Sequence, residues 1–181
     1  MDAKKDKINR KLTKYSKVDK IKFGIIAASV VIFMISLTQN ALTYIKSYYV
    51  GDQIFYQDHH LHSFELLIVG STAILGGGLL EWFVWWANPL YFYGLILFHK
   101  SNEKSKIISL TAFIISLSFS MWEQITVYDS GQRTIKALNA GYWLWVTAMA
   151  VSFVGIIYYY HNIEKKSKVQ QQTENPTFPS S

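Results

Sequence analysis

The sequence predicts an all-α, polytopic membrane helical bundle: four spans, a re-entrant or interfacial half-helix on the outer face, and both termini cytoplasmic. Three observations carry that expectation. Half of the 181 residues are hydrophobic, 16% are aromatic and 17% are charged. Soluble domains usually hold roughly 25% charged residues, so this chain is depleted in them. The apolar residues gather into stretches of membrane-crossing length. The third observation is that Lys and Arg fall on one side of such a bundle and Trp on the other.

Residues 1–22 hold nine of the 18 Lys and Arg, against three acidic residues. Within them Ile8, Leu12, Tyr15, Val18 and Ile21 recur at helical spacing, with lysines around the rest. A basic amphipathic helix of this kind lies on an anionic inner leaflet, gaining about 1 kcal/mol per Lys or Arg near the surface. A solvated basic tail is the plainer reading of the same charges. The segment runs straight into an apolar stretch, which argues against a nucleic-acid arm, and no nucleic-acid partner is expected.

Residues 23–42 contain no charge. At 1.5 Å per residue, about twenty residues cross a hydrocarbon core of about 30 Å, so this is the first span. Its basic flank and apolar run are both too long for a cleaved signal peptide, and no small-x-small site follows. The expectation is an uncleaved anchor.

Residues 44–65 read as a polar and aromatic outer connection. Residues 66–98 then carry a single charge, Glu81, with Gly76–Gly78 and Asn88-Pro89 as breakers. As one helix this stretch would reach about 50 Å, and two crossings would leave about sixteen residues each. Charge decides between them. With one crossing, fifteen Lys and Arg lie inside and three outside (Lys46, Arg133 and Lys136); two crossings would divide them eleven against seven. The positive-inside rule selects one crossing. Placed at 82–98, it brings all six Trp to one outer belt and leaves 66–80 as the half-helix. The alternative is a crossing at 66–86, with 90–98 along the inner surface. Residues 107–127 and 141–160 supply the last two spans, and 161–181 form a polar cytoplasmic tail.

Three places are candidates for chemistry. His59, His60 and His62 could offer imidazoles to Zn or Cu beside Asp58 or Glu65. Histidines at a membrane surface are more simply interfacial, and no metal site is expected. Glu81 is an ionisable residue in an apolar stretch, and with Glu123 and the break at Asn88 it marks a candidate path for a small solute or cation. At the outer interface, however, the same carboxylate is merely hydrated. No phosphate-loop, nucleophile-elbow, zincin or dinucleotide motif occurs. Zero Cys excludes thiolate metal sites and thiol nucleophiles. No cofactor is expected, and the chain is expected not to be an enzyme.

Phe64-Glu65-Leu66-Leu67, Trp85-Trp86-Ala87-Asn88-Pro89-Leu90 and Gly141-Tyr142-Trp143-Leu144-Trp145 together resemble a widespread group of small bacterial inner-membrane proteins. Those read GWELL, WYANPL and GYWLW at the corresponding places. Phe64 stands here where the group has Trp, and Trp86 where Tyr is frequent. The resemblance covers roughly residues 64–155 and implies a multi-pass protein of the bacterial inner membrane, without implying a mechanism.

The expected role is that of an accessory or oligomer-forming subunit, its partner either a second copy or another membrane protein. Gly24, Ala27 and Ala28 on the first span, and Ala148, Ser152 and Gly155 on the last, are small-residue faces that let helices approach closely. The second reading is the transporter or channel using Glu81 and Glu123.

Overall fold

The structure is a computed structural model that describes residues 2–127 and 131–174, with side chains over 20–49, 51–126 and 133–162. The elements run α1 (Asp2–Leu37), β1 (Asn40–Val50), β2 (Gln53–His62), α2 (Ser63–Thr72), α3 (Leu79–Trp85), α4 (Ala87–His99), α5 (Ser105–Ser118), β3 (Gln124–Val127), β4 (Gly131–Leu138) and α6 (Ala140–Glu174). Short 3₁₀ turns, Ala73–Gly76 and Phe119–Met121, follow α2 and α5. The backbone of the basic segment is helical from Asp2, while the side chains of its apolar stripe through Val18 lie outside the described residues, as does the end of the polar tail, 175–181.

The expectation of an all-α four-span bundle is overturned. The fold is mixed, with a four-stranded antiparallel sheet in the order β2-β1-β4-β3. Residues 43–49 and 54–56 are almost all β-branched or aromatic, which suits a pleated, half-covered surface. Val50 pairs with Gln53 across a two-residue loop, and Gly51 adopts the left-handed φ of +62° that such a hairpin turn requires. The polar and aromatic connection is therefore a hairpin.

The span boundaries change for the same reason. In the expected span 107–127, α5 ends at Ser118 and the last four residues become β3. Fourteen helical residues reach about 21 Å, short of a hydrocarbon core. In 23–42 the helix stops at Leu37 and Asn40 opens β1. The segment 82–98 is divided at Trp86 into α3 and α4. The half-helix placed at 66–80 begins earlier, at Ser63, and its turn ends at Gly76; Gly77, at φ +84°, makes the corner into α3. Among the described residues, two helical stretches are long and apolar enough to cross a membrane, Lys20–Leu37 and Ala140–Asn162.

These two stretches pack antiparallel. Ser29 Oγ donates to the Ala148 carbonyl at 2.8 Å and bonds the Tyr91 hydroxyl at 2.7 Å, which ties α1, α4 and α6 together at the centre of the bundle. Phe33 stacks on Tyr91 with ring centroids 5.4 Å apart. Lower on the pair, Gly155 accepts Ile25 so closely that a Cβ there would overlap its side chain. Ala148 and Ser152 are buried on the same face, so the small-residue face of the last span is consumed within the single chain.

The sheet sits where α1 ends and α6 begins. Asn139 N–H donates to the Ala41 carbonyl at 2.7 Å, and the Asn139 amide reaches Thr43 Oγ1 at 2.9 Å. The Tyr142 hydroxyl donates to the Ser116 carbonyl at 3.0 Å, joining α6 to α5. At the far end of the bundle, Lys22 is buried and its ammonium donates to Ser101 Oγ at 2.6 Å and to the His99 carbonyl at 3.3 Å.

Candidate functional site

The junction between sheet and helices forms a half-open cavity of about 130 Å³. It is bounded by α2 and α3, by the ends of α1 and α6, and by residues of β1, β2 and β3. Leu37, Leu66, Val84, Phe119 and Ile125 give it apolar walls. The polar side chains at its edge are a short set: Ser36, Ser63, Glu81, Asn88 and Thr126, together with the indoles of Trp85 and Trp145.

Local chemistry places each of them. Pro89 has no N–H, so the helical bond to the Trp85 carbonyl cannot form. The Asn88 side chain replaces it, donating Nδ2 to that carbonyl at 3.1 Å. Asn88 Oδ1 in turn accepts the Trp145 indole N–H at 2.8 Å. The break at Asn88-Pro89 is thus a satisfied junction between the α3–α4 corner and α6. Trp85 spans the other side, its indole N–H donating to the Leu67 carbonyl at 2.8 Å, and Gly70 lets α2 approach that ring.

Glu81 lies in the first turn of α3, half-buried. Its Oε1 accepts the backbone N–H of Thr126 at 2.6 Å and so holds β3 to the helix. Ser63 is 8% exposed and its Oγ has no hydrogen-bond partner. Buried hydroxyls are nearly always bonded, which makes Ser63 the outlier of this site.

The structure brings Glu81 and Asn88 to one cavity and leaves Glu123 outside it. Glu123 is exposed, and its carbonyl accepts the Ile135 N–H at 2.8 Å as part of the sheet edge. The sequence-predicted path of Glu81, Glu123 and Asn88 is therefore not assembled as a set. On β2, strand alternation sends His59 to the opposite face from His60 and His62. His59 stacks on Tyr44 at 5.7 Å, and His60 Nδ1 bonds Thr43 Oγ1 at 2.9 Å. Among the described residues no three His, Asp or Glu side chains are grouped closely enough to hold a metal ion.

A second feature is an open apolar groove of about 660 Å³ between α1 and α6. Gly24 and Ala28 form its floor on α1, and a Cβ added at Gly24 would meet nothing within 4 Å. Val154 and Tyr158 wall it from α6, 61% and 59% exposed. The small-residue face of the first span is thus left open at Gly24 and Ala28.

Sequence reasoning missed Ser63 and Trp145 as site residues. Ser63 directly follows the histidine strand, and no periodicity distinguishes it from a surface serine. Trp145 was legible as an interfacial indole, but its bond to Asn88 depends on the tertiary contact. Comparison with protein-family models, with curated proteins and with solved structures gives no match.

Proposed function

We propose that this chain is a non-enzymatic integral protein of the bacterial inner membrane, anchored by α1 and α6, that works as a self-associating subunit. The observation that carries the reading is the groove between those helices. Its floor of Gly24 and Ala28 lies beside a wall of Val154 and Tyr158. A floor beside a wall is what two-fold pairing needs, because each copy's wall fills the other's floor. In a bilayer, helices associate through such close packing rather than through hydrophobic burial.

Length and charge support the anchoring. The stretches Lys20–Leu37 and Ala140–Asn162 are 18 and 23 residues long, or about 27 and 34 Å. Seven Lys and Arg precede the first and two more, Lys20 and Lys22, open it, which favours the cytoplasmic side for the N-terminus and the outer side for the sheet. The anionic inner leaflet is then the lipid partner of the basic segment. A non-enzymatic role is supported by what the cavity's polar groups do: the Glu81 carboxylate and the Asn88 amide both bond groups of the fold itself.

Light scattering of the purified protein in a mild detergent tests the reading. The wild type is expected at twice the 20.9 kDa protein mass of one chain. Gly24→Leu, whose Cβ meets nothing within 4 Å, fills the floor and is expected at the single-chain mass with an unchanged melting temperature. A strictly monomeric wild type would remove the proposal.

A further inference from the structure

Lys22 carries a buried charge that the fold leaves without a counter-ion. The residue is 8% exposed. Its ammonium donates to Ser101 Oγ at 2.6 Å and to the His99 carbonyl at 3.3 Å, and it lies 5.4 Å from the centre of the Tyr159 ring. All three partners are neutral. Among the described residues no carboxylate lies within ion-pairing distance of it. Buried charges are ordinarily paired. The C-terminal end of α4 offsets only about half an elementary charge.

The turn between α4 and α5 gives access to that charge. Ser101 is exposed and holds φ +57°, a left-handed conformation that glycine adopts at less cost. Its oxygen accepts from Lys22, so its own proton is available to another acceptor. An ammonium has three donors, of which Lys22 spends two. Donor atoms 2.6 Å apart can serve neighbouring oxygens of one phosphate. Lys100 and Lys104 flank the same turn, exposed, while Lys106 holds the turn's carboxylate, Glu103, at 3.7 Å. We propose that Lys22 and Ser101 form a site for a phosphate group, supplied by the headgroup of an anionic phospholipid or by a free phosphate ion. Basic pockets between membrane helices on the cytoplasmic side take anionic headgroups in this way. The lipid source rests on the anchoring by α1 and α6, and neither source rests on self-association.

The full chain in a zwitterionic detergent is titrated with short-chain phosphatidylglycerol, short-chain phosphatidylcholine and inorganic phosphate at constant ionic strength. Binding is read by melting temperature and by native mass spectrometry. Phosphatidylglycerol is expected to raise the melting temperature saturably, with one molecule retained per chain. Phosphatidylcholine, whose choline cancels the phosphate charge, is expected to do neither. A saturable shift with inorganic phosphate as well would support the site and show that the free ion suffices. Ser101→Gly relieves the left-handed φ, which offsets the acceptor that Lys22 loses, so this variant should fold. It should nevertheless bind phosphatidylglycerol about tenfold more weakly, as the loss of one charge-assisted hydrogen bond implies. Lys22→Gln should weaken binding at least as much. Lys20→Gln removes the same charge from an exposed position two residues away and should have little effect. Gly24→Leu should bind as the wild type does whether or not the chain pairs, which separates this outcome from that of the assembly test. Wild-type binding by Ser101→Gly, equal losses in Lys20→Gln and Lys22→Gln, or no response to phosphatidylglycerol and phosphate alike would overturn the proposal.

Discussion

The indole N–H of Trp145 donates to Asn88 Oδ1 at 2.8 Å, while the Asn88 amide nitrogen caps the Trp85 carbonyl that Pro89 leaves without a donor. One side chain thus closes the break between α3 and α4 and fastens it to α6. Replacing Asn88 by Leu orphans a partly buried carbonyl and a partly buried indole N–H together. Each orphaned group costs about 1–3 kcal/mol, so thermal unfolding in detergent should show a loss of about 2–6 kcal/mol. Pro89→Ala in the Asn88→Leu background restores a backbone donor to the Trp85 carbonyl. The double variant should therefore recover part of the loss, and strict additivity would contradict the role assigned to Asn88.

Two glycines should resist substitution and a third should not. Gly155→Ala forces a Cβ onto Ile25, and overpacking of this kind costs about 1–3 kcal/mol. Gly141→Ala should cost at least as much, since the blocking atoms include the Asn40 carbonyl oxygen at 2.7 Å, a backbone atom that cannot rotate away. Gly24→Ala should leave the melting temperature of the single chain unchanged. A scan of melting temperatures across the three variants checks the order.

The ion pair between Lys136 and Asp58 joins β4 to β2 at 2.5 Å, with both side chains about half exposed. Exposed pairs are worth about 0–1 kcal/mol. Lys136→Ala should therefore change stability by less than about 1 kcal/mol, and raising the salt concentration should shrink the difference further. A larger, salt-independent loss would mean that Lys136 supports the sheet by packing.

Titration with Zn and Cu should give no stoichiometric submicromolar binding, because β2 divides His59 from His60 and His62 and, among the described residues, no third ligand joins them. Calorimetry on the wild type and on a triple His→Ala variant reads this directly. Tight binding lost in the triple variant would refute it.

The orientation is read by thiol labelling, since the chain has no native cysteine. Glu103→Cys lies in the turn between α4 and α5, at the end of the bundle away from the sheet. An impermeant reagent should reach it only after the membrane is opened, whereas Gln57→Cys on β2 should label in intact spheroplasts. The reverse pattern would invert the proposed topology.

How far the fold could be read from the sequence depended on which signal each segment carried. The two long stretches in α1 and α6 were legible because uninterrupted apolarity at helical length has few other solutions. The hairpins were not, although Thr43, Tyr44, Ile45, Tyr48 and Tyr49 carry β-forming side chains and Gly51-Asp52 carries the turn. Their polar composition reads equally as a loop, and Ile125-Thr126-Val127 follows the apolar run of α5 after only Glu123-Gln124, with no Gly or Pro to mark a boundary. The corner at Asn88-Pro89 was legible as a break whose freed backbone needed a partner. That the partner is the asparagine's own amide, steadied by Trp145, follows only from tertiary placement. Glu81 stood out as a lone charge, but its bond to Thr126 required the unforeseen strand.

Disulfide cross-linking of single-cysteine variants in native membranes tests the self-association most directly. Ala28→Cys places a thiol on the groove floor, and Phe23→Cys places one on another face of α1, where the native side chain is 72% exposed. With no native cysteine to interfere, a two-chain product from Ala28→Cys and none from Phe23→Cys is expected. Equal yields from both positions, or cross-linking at Phe23→Cys alone, would contradict pairing through the groove between α1 and α6.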